Sequence, residues 1–273
     1  MHLSGLFIYP VKSLRGLAVD AAGIDPLGVI GDRRFLVVDE SGRFLTQRTL
    51  PAMARIAATL CRDLLTLSAE GAGAVNVARA PDPAAELRTV SVWKSEGLQA
   101  EDCGAEAAGW LSDFLHTPCR LVRAGGAFQR PMRKPAAGPG DRLAFADGDP
   151  LLVVSEASLA DLNRRLATHG DKAIPMDRFR PNLVIAGCGA FAEDTWVRFR
   201  VGSITFRAGG PCARCVVTTT HQLTGQRGKE PLHTLASYRR DVARPGDVNF
   251  GQNLIHETKT GTLRVGEKVE LLP

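Results

Sequence analysis

The sequence of 273 residues predicts a β-rich α+β protein that contains a closed β-barrel. Many short runs of β-branched and aromatic residues are separated by Gly, Pro or Asp, which is typical of short strands joined by turns. Few segments carry the hydrophobic period of an amphipathic helix. The composition, with 44% hydrophobic and 23% charged residues, is ordinary for a soluble globular protein.

The N-terminal part of the chain is predicted to consist mainly of strands. Residues Leu3–Val11 are rich in strand-forming residues and end at Lys12. Phe35–Val38 and Arg43–Thr46 flank the turn sequence Asp39-Glu40-Ser41-Gly42, which indicates a β-hairpin. Further short strands are predicted at Leu65–Ser68, Val75–Ala78, Leu87–Val92 and Cys119–Val122.

One helix interrupts these strands, and a long irregular segment follows them. The spacing of Ala107, Trp110, Leu111 and Phe114 predicts an amphipathic helix over Ala105–Leu115. Residues 124–141 (AGGAFQRPMRKPAAGPGD) are rich in Gly and Pro, which predicts a loop, a domain junction or a mobile lid. A chain of this length favours two closely packed domains, which we place at residues 1–120 and 121–273.

The C-terminal part is predicted to alternate strands with two helices. Leu151–Val154 is a buried strand, and Ser155 is placed to cap a helix whose Leu159, Leu162 and Leu166 share one face. The remaining elements are a short helix beginning near Pro231 and strands at Asn182–Ala186, Arg198–Val201, Ile204–Ala208, Val216–Thr219, Leu263–Val265 and Val269–Leu272.

Charge and hydropathy limit the kinds of partner. The net charge of +5 permits an anionic ligand, but Lys and Arg are mostly scattered and only 6% of residues are aromatic. We therefore expect no nucleic-acid polymer as a partner. No run approaches the ~20 apolar residues that span a bilayer. The first apolar run is short and is broken by Pro10, unlike a signal peptide. We expect no membrane association and a cytoplasmic location.

Two of the six cysteines, Cys212 and Cys215, form a close pair in the segment GGPCARCVVTTT (209–220). Free thiols are expected in a cytoplasmic protein. The pair has four interpretations: packing residues, a thioredoxin-like redox pair, half of a zinc site, or one thiolate ligand on an exposed turn held ionised by Arg214.

The surrounding residues weigh against two of these interpretations. Gly-Gly-Pro before the pair indicates a turn, and the β-branched residues after Cys215 predict a strand, whereas a redox pair needs a helix N-terminus. The other cysteines are isolated, and His221 and His233 are too far apart to complete a zinc site. Packing residues and a single soft thiolate for a thiophilic metal remain open.

The segment PCARCVVTT closely resembles the cysteine motif of the MOSC-domain proteins, named after the C-terminal domain of molybdenum-cofactor sulfurases. Six further segments resemble family segments in the family's order: YPVKS (9–13), GDRRF with LTQR (31–35 and 45–48), DPLLVVSEASLADLN (149–163), FRPNLVIAG (179–187), EPLHTL with SYR (230–235 and 237–239) and NFGQNL (249–254). The resemblance therefore covers nearly the full chain, as an N-terminal MOSC-type β-barrel domain followed by a MOSC domain. It points to the mitochondrial amidoxime reducing components and their bacterial counterparts.

This resemblance implies a molybdenum-dependent oxidoreductase. Proteins of this kind reduce N-hydroxylated compounds with two electrons at a molybdenum held by a pyranopterin dithiolene and one protein cysteine. The implied cofactor is therefore molybdenum–pyranopterin, and the implied substrates are amidoximes, N-hydroxylated bases or hydroxamic acids. The resemblance makes Cys215 the metal ligand and leaves Cys212 as a packing residue or spare thiol.

The resemblance also implies the cofactor contacts. The pyranopterin phosphate is dianionic and needs charge-assisted donors and backbone N–H groups. Asp149 departs from the family's small polar residue, and its alternative role is to cap a turn. Alternatively, Lys12 and Arg33 are solvated charges at strand ends, and Arg180 forms an ion pair with a surface carboxylate. The family's contact positions are occupied here by Lys12, Ser13, Arg33, Gly148, Asp149, Arg180, Asn182, Ala213, Arg214, Cys215 and Asn253.

Asp147 matches the position of a family acid near the metal, so it is predicted to be catalytic, by shuttling protons or orienting the substrate. No segment has the closely spaced cysteines of an iron–sulfur domain, so a separate flavin, haem or iron–sulfur reductase is expected as electron donor.

A rival function is a sulfur carrier or cofactor-delivery module that holds a persulfide on Cys215. A third is a dithiol oxidoreductase that uses both cysteines of the pair.

Overall fold

Eighteen strands and three α-helices, with four short 3-10 helices, make up the computed structural model, which describes all of residues 1–273. The strands are β1 His2–Ile8, β2 Leu17–Ala18, β3 Ala21–Asp25, β4 Gly28–Val29, β5 Phe35–Val38, β6 Ala57–Cys61, β7 Leu64–Ala69, β8 Gly73–Ala78, β9 Leu87–Val92, β10 Ser95–Asp102, β11 Arg120–Arg123, β12 Leu151–Ser155, β13 Leu183–Ala186, β14 Arg198–Val201, β15 Ile204–Ala213, β16 Asn249–His256, β17 Gly261–Arg264 and β18 Val269–Leu272. The α-helices are α1 Ala105–Leu115, α2 Glu156–Thr168 and α3 Leu232–Ala236, and the 3-10 helices are Pro51–Arg55, Met176–Arg178, Ala192–Thr195 and Val216–Thr219. This architecture confirms the predicted β-rich α+β fold class.

The largest sheet contains eight strands in the order β18-β14-β15-β16-β12-β13-β1-β2. Strands β1 and β18, from opposite sides of this sheet, also meet: Leu3 N donates to Glu267 O at 2.9 Å, and Val269 N donates to Met1 O at 3.0 Å. The sheet therefore closes into a barrel, as the sequence predicts. A cluster of 18 buried hydrophobic residues fills it, with Phe199, Phe206 and Leu254 among those fully buried.

Three smaller sheets have the orders β5-β11-β10-β9, β6-β7-β8 and β17-β3-β4. The first two contribute to a second core of 16 buried hydrophobic residues, whereas β17-β3-β4 packs Ala22, Ile24 and Leu263 into the barrel core. Helix α1 packs on β11 and β8 and buries Ala107, Leu111 and Leu115. It begins and ends at the residues that its periodicity predicts, and His116, with a left-handed φ of 50°, follows its last turn. Ser155 caps α2 as predicted, by accepting a hydrogen bond from Ser158 N at 3.1 Å. None of the helices has the length and hydropathy needed to cross a membrane.

The two halves of the chain share sheets. Strand β1, from the start of the chain, lies in the barrel beside β13, and β17, from the end, pairs with β3. The boundary predicted between residues 120 and 121 falls inside β11, which pairs with β5 and β10. No local sequence pattern predicts which strands will pair when they are so distant in sequence. The division into residues 1–120 and 121–273 stays a prediction.

Two predicted elements around the cysteine pair are wrong. Residues Gly209–Ala213, predicted as a turn, continue β15, because they keep pairing with β16, a strand the sequence did not predict. The pairing register shifts at two β-bulges, and Gly210 takes a φ of 103° there. Val216–Thr219, predicted as a strand, is a 3-10 helix, in which Thr218 N donates to Cys215 O at 3.0 Å. Tertiary context has overridden the β-propensity of these side chains.

Candidate functional site

One cavity gathers the residues that the sequence predicts for a site. It lies where the ends of barrel strands β12, β13 and β15 meet residues from the N-terminal part of the chain. All twelve predicted residues line it: Lys12, Ser13, Arg33, Asp147, Gly148, Asp149, Arg180, Asn182, Ala213, Arg214, Cys215 and Asn253. Further lining residues, not predicted as part of the site, include Arg48, Phe179, Cys212 and Thr218. The roles of the twelve residues stay predictions, but their convergence is a structural fact.

The cavity is strongly cationic, since Lys12, Arg33, Arg48, Arg180 and Arg214 line it together with only two carboxylates. Each carboxylate already has a cationic partner, Asp147 in Lys12 and Asp149 in Lys134. Two of the arginines instead donate to backbone carbonyls, Arg180 to Leu14 O at 2.7 Å and Arg214 to Phe179 O at 2.6 Å. Positive charge is therefore left over for an anionic ligand.

Burial distinguishes these cations from ordinary surface charges. Lys12 is buried and donates from Nζ to Phe145 O at 2.9 Å, so it is not a solvated strand-end charge. Burial lowers the pKa of Lys12 despite the opposing charge of Asp147. Burial also lowers the pKa of Arg180 to about 10, and the hydrogen bonds of Arg180 show no surface ion pair.

Backbone strain is concentrated at three of the predicted residues. Ser13, Arg33 and Arg180 have left-handed φ values of 67°, 47° and 56°. Such conformations cost non-glycine residues about 1–3 kcal/mol each and cluster at functional sites. The surroundings hold them in place, because Arg33 and Arg180 each pack their guanidinium 4.3 Å from the ring centroid of Tyr9. Arg33 also donates to Asn182 Oδ1 at 2.9 Å.

The two cysteines of the pair differ in their surroundings. Cys215 is partly buried and directly precedes the 3-10 helix, in an extended conformation. Arg214, expected to hold the Cys215 thiolate ionised, instead donates from Nη1 to Cys212 Sγ at 2.9 Å. Burial raises the pKa of the Cys212 thiol, against the charge and hydrogen bond of Arg214. Cys212 lies in β15 whereas Cys215 lies beyond its end, a difference that residue spacing alone does not reveal.

Asp147 sits among four donors at the mouth of the cavity. Its carboxylate pairs with Lys12, accepts from Trp93 Nε1 at 2.9 Å and lies 3.6 Å from Arg48 Nη2. Its backbone carbonyl accepts from Arg130 Nη2 at 2.8 Å. Desolvation, which raises the pKa of Asp147, is outweighed by Lys12, Trp93 and Arg48, so the pKa lies well below its usual range. Asp147 is thus an ionised carboxylate at neutral pH, better suited to orient a donor than to give up a proton.

The irregular segment 124–141 supplies the partner of the second carboxylate. Arg130 anchors this segment by donating to Ala144 O at 2.9 Å, and Lys134 pairs with Asp149. Asp149 is buried, and its Oδ1 has no hydrogen-bond partner. A Cβ at Gly209 would clash with that oxygen, so only Gly leaves room for it. Asp149 is paired, the condition under which a carboxylate beside an anionic ligand is tolerable.

The donor set fits a molybdenum–pyranopterin. The backbone N–H groups of Ser13, Gly148 and Cys215 donate no hydrogen bond to another protein atom, and Arg214 Nε is buried without a partner. No three His, Cys, Asp or Glu side chains come together in a way that could hold a metal ion. A metal at Cys215 would therefore need ligands from outside the chain. A cofactor that brings its own sulfur donors and a dianionic phosphate matches both the single thiol and the cationic lining.

Comparison with known proteins bears on the whole chain. Residues 1–118 match the MOSC N-terminal beta barrel domain, and residues 140–270 match the MOSC domain. The mitochondrial amidoxime-reducing component 1 of Mus musculus is 39% identical over 98% of this chain and 81% of its own length. That of Homo sapiens is 37% identical over 98% of this chain and 82% of its own length. A molybdenum cofactor sulfurase of Danio rerio is 33% identical over 94% of this chain, which spans 32% of that protein. The chain therefore belongs to the MOSC family and combines the family's N-terminal beta barrel domain with its MOSC domain.

Proposed function

We propose that the protein is a molybdenum-cofactor-dependent reductase that cleaves the N–O bond of small N-hydroxylated compounds with two electrons and two protons, releasing water. The observation that carries this proposal is the convergence of Cys215 with Lys12, Arg33, Arg180 and Arg214 on one cavity. The names of the mouse and human relatives, which match nearly the whole chain, support the same reaction class. Amidoximes, N-hydroxylated bases and hydroxamic acids are the proposed substrates.

In this proposal Cys215 is the protein's only ligand to molybdenum. The other sulfur in the cavity, that of Cys212, already accepts a hydrogen bond from Arg214. A thiolate is the soft donor that suits a metal carried on a sulfur-rich cofactor. When bound, molybdenum–pyranopterin would supply the two-electron redox chemistry that protein side chains lack.

The cationic residues would hold the anionic end of the cofactor. Lys12, Arg33 and Arg180 can form charge-assisted hydrogen bonds to phosphate oxygens, and the free N–H groups of Ser13 and Gly148 can add neutral ones. The asparagines Asn182 and Asn253 and the backbone at Ala213 line the same space. Because burial and backbone strain fix several of these groups in advance, little ordering is left to occur on binding.

Asp147 would orient the substrate. Its carboxylate is 56% exposed at the cavity and is kept ionised by its neighbours. It can accept a hydrogen bond from the hydroxyl of an N–OH group and so fix the direction of the N–O bond. The proton nearest to the substrate is then held on Lys12 Nζ, which already bonds to Asp147.

The proposal includes a separate electron-donor protein with a flavin, haem or iron–sulfur centre. Each turnover consumes two electrons, and no group of three or more His, Cys, Asp or Glu side chains here could hold a second metal centre. The cytoplasmic location, and the absence of nucleic-acid and membrane partners, stay predictions.

Reduction of benzamidoxime with an artificial electron donor tests this function. Protein made in a host that synthesises the molybdenum cofactor should form benzamidine, and Cys215→Ser should abolish product formation. Cys212→Ser is the matched control and should keep most of the activity. Molybdenum-loaded protein that forms no benzamidine, nor the reduced products of the other two substrate classes, would contradict the proposal. Equal loss in both cysteine variants would favour a dithiol mechanism instead.

A sulfur carrier or cofactor-delivery module is the second candidate, favoured by the match to the molybdenum cofactor sulfurase. In that case the Cys215 thiol would hold a persulfide. Wild-type protein that contains cyanide-releasable sulfur on Cys215, but no molybdenum, would favour this candidate over the reductase.

A further inference from the structure

The hairpin turn between β9 and β10 holds a tryptophan in a backbone conformation that favours glycine. Trp93 and Lys94 form this two-residue turn, with Val92 paired to Ser95, and Trp93 has a φ of 55°. Two-residue hairpin turns with a positive φ normally use Gly, Asn or Asp there. A bulky side chain in this region is a genuine outlier, and strain of this kind persists only where the surroundings impose it.

Residues at the mouth of the cavity hold the indole. Trp93 Nε1 donates to Asp147 Oδ1 at 2.9 Å, and the guanidinium of Arg48 lies 4.6 Å from the ring centroid. Phe44 packs edge-on at 5.0 Å between centroids. Asp147 and Arg48 both line the cavity, so Trp93 stands at its rim. Despite these contacts 46% of Trp93 is exposed, which leaves a large apolar surface beside a polar site.

We propose that the exposed part of the Trp93 indole, backed by Arg48, is a wall that binds the aryl group of an N-hydroxylated substrate, making the protein selective for aryl over alkyl substrates. The inference rests on the proposed reductase function and adds to it a residue that determines specificity. Covering the exposed indole removes apolar surface from water, and guanidinium and indole planes both stack with aromatic rings. Since Asp147 bonds to the same indole, a hydroxyl held by Asp147 lies beside this wall.

Steady-state kinetics with benzamidoxime and acetamidoxime test the wall. The KM of molybdenum-loaded wild type should be lower for benzamidoxime. Trp93→Gly, which also relieves the turn, should raise that KM about three- to tenfold, the range expected for one lost aromatic contact. The KM for acetamidoxime should stay within about twofold. Trp93→Phe, which keeps a ring, should lie between wild type and Trp93→Gly.

The matched control is Trp110→Phe. Trp110 donates from Nε1 to Ala72 O at 2.8 Å and stacks on Phe114, and none of these three residues lines the cavity. This variant should change neither KM value. An unchanged aryl preference in Trp93→Gly would overturn the inference. So would an equal fall of kcat for both substrates with no change in KM, because Trp93 would then act only through Asp147.

Fluorescence separates this inference from the proposed function. The chain has three tryptophans, and benzamidoxime added without an electron donor should quench the wild-type emission but not that of Trp93→Phe. Quenching that depends on Trp93, in a molybdenum-loaded protein that reduces none of the three proposed substrate classes, would support the role of Trp93 in binding and refute the reductase. If the protein reduces both amidoximes but quenching is absent, or persists in Trp93→Phe, the wall is refuted and the reductase function is kept.

Discussion

Partly buried arginines without carboxylate partners define this site at the scale of single residues. Arg180 and Arg214 direct hydrogen bonds to backbone carbonyls, and burial lowers the pKa of Arg180 to about 10. Burying a charge without a counter-ion is unfavourable, so a bound anion would stabilise the folded protein. The left-handed backbone conformations of Ser13, Arg33 and Arg180 also raise the free energy of the folded protein.

The pair between Lys134 and Asp149 gives a prediction at the same scale. Lys134→Met should lower the free energy of unfolding by about 2 kcal/mol, because it leaves a buried carboxylate unpaired. The cost is below that of a fully buried pair, since the Lys134 side chain is 36% exposed whereas that of Asp149 is 2% exposed. Adding Asp149→Asn to Lys134→Met should recover most of the loss.

Urea unfolding of the single variants and the double variant measures this coupling. Lys268→Met is the control, because its pair with Glu270 is exposed and its loss should leave the free energy of unfolding nearly unchanged. A double variant no more stable than Lys134→Met would show that charge compensation is not what links the two residues.

The site residues that the sequence predicts lie in sequence motifs, whereas those that it does not predict are placed at the site by contacts between distant parts of the chain. The twelve predicted residues occur in motifs that are readable along the chain, and all twelve line the cavity. Tyr9, Arg48, Trp93 and Lys134 also shape the site but were not predicted as part of it. Their contributions arise from contacts such as Trp93 with Asp147, 54 residues apart in sequence, and no local pattern indicates them.

At the scale of elements, local and tertiary forces compete. Helix α1 has the predicted bounds because the apolar period that defines it is a local feature of the sequence. The four β-branched residues after Cys215 form a 3-10 helix because the chain must turn away once β15 has ended its pairing with β16. Propensity is a weak guide where a segment is fixed by its neighbours.

His256, on strand β16, makes the stability of the fold depend on pH. His256 is 1% exposed, and its Nε2 lies 2.9 Å from Asp25 O on β3. Burial first, and then the charge of Lys259, lowers the pKa of His256 to about 4. Between about pH 6.5 and pH 4 the unfolded chain therefore binds more protons than the folded one, so stability falls as pH falls through this range.

His256→Gln should reduce this slope, since Gln can still donate to Asp25 O and does not titrate. The full effect corresponds to about 3 kcal/mol between the two pH limits. The free energy of unfolding measured across this range provides the test, with His169→Gln at an exposed position as the control. A slope that is the same in His256→Gln and wild type would contradict the burial of a neutral imidazole.

At the scale of the whole molecule, the barrel depends on both ends of the chain. Strand β1 pairs with β13 and also meets the segment before β18, while β17 pairs with β3. The sequence predicted a closed barrel but not which strands close it, because such pairings join residues as distant in sequence as His2 and Lys268. The cationic cavity likewise takes Lys12 and Arg33 from one half of the chain and Arg180 and Arg214 from the other.

Residues 121–273 expressed alone should therefore not fold cooperatively. That fragment lacks β1, so the edge of β13 and the barrel interior would be open to water. Circular dichroism during heating should show no cooperative transition for the fragment and one for the full chain. A fragment that melts as sharply as the full chain would show that the C-terminal half is an independent unit.

Molybdenum and pterin content tests most directly whether Cys215 holds the cofactor. Protein made in a cofactor-competent host should contain about one molybdenum and one pterin per chain, both in wild type and in Cys212→Ser. Cys215→Ser should lose the metal. Wild-type protein without molybdenum, or Cys215→Ser that retains a full complement, would contradict the assignment.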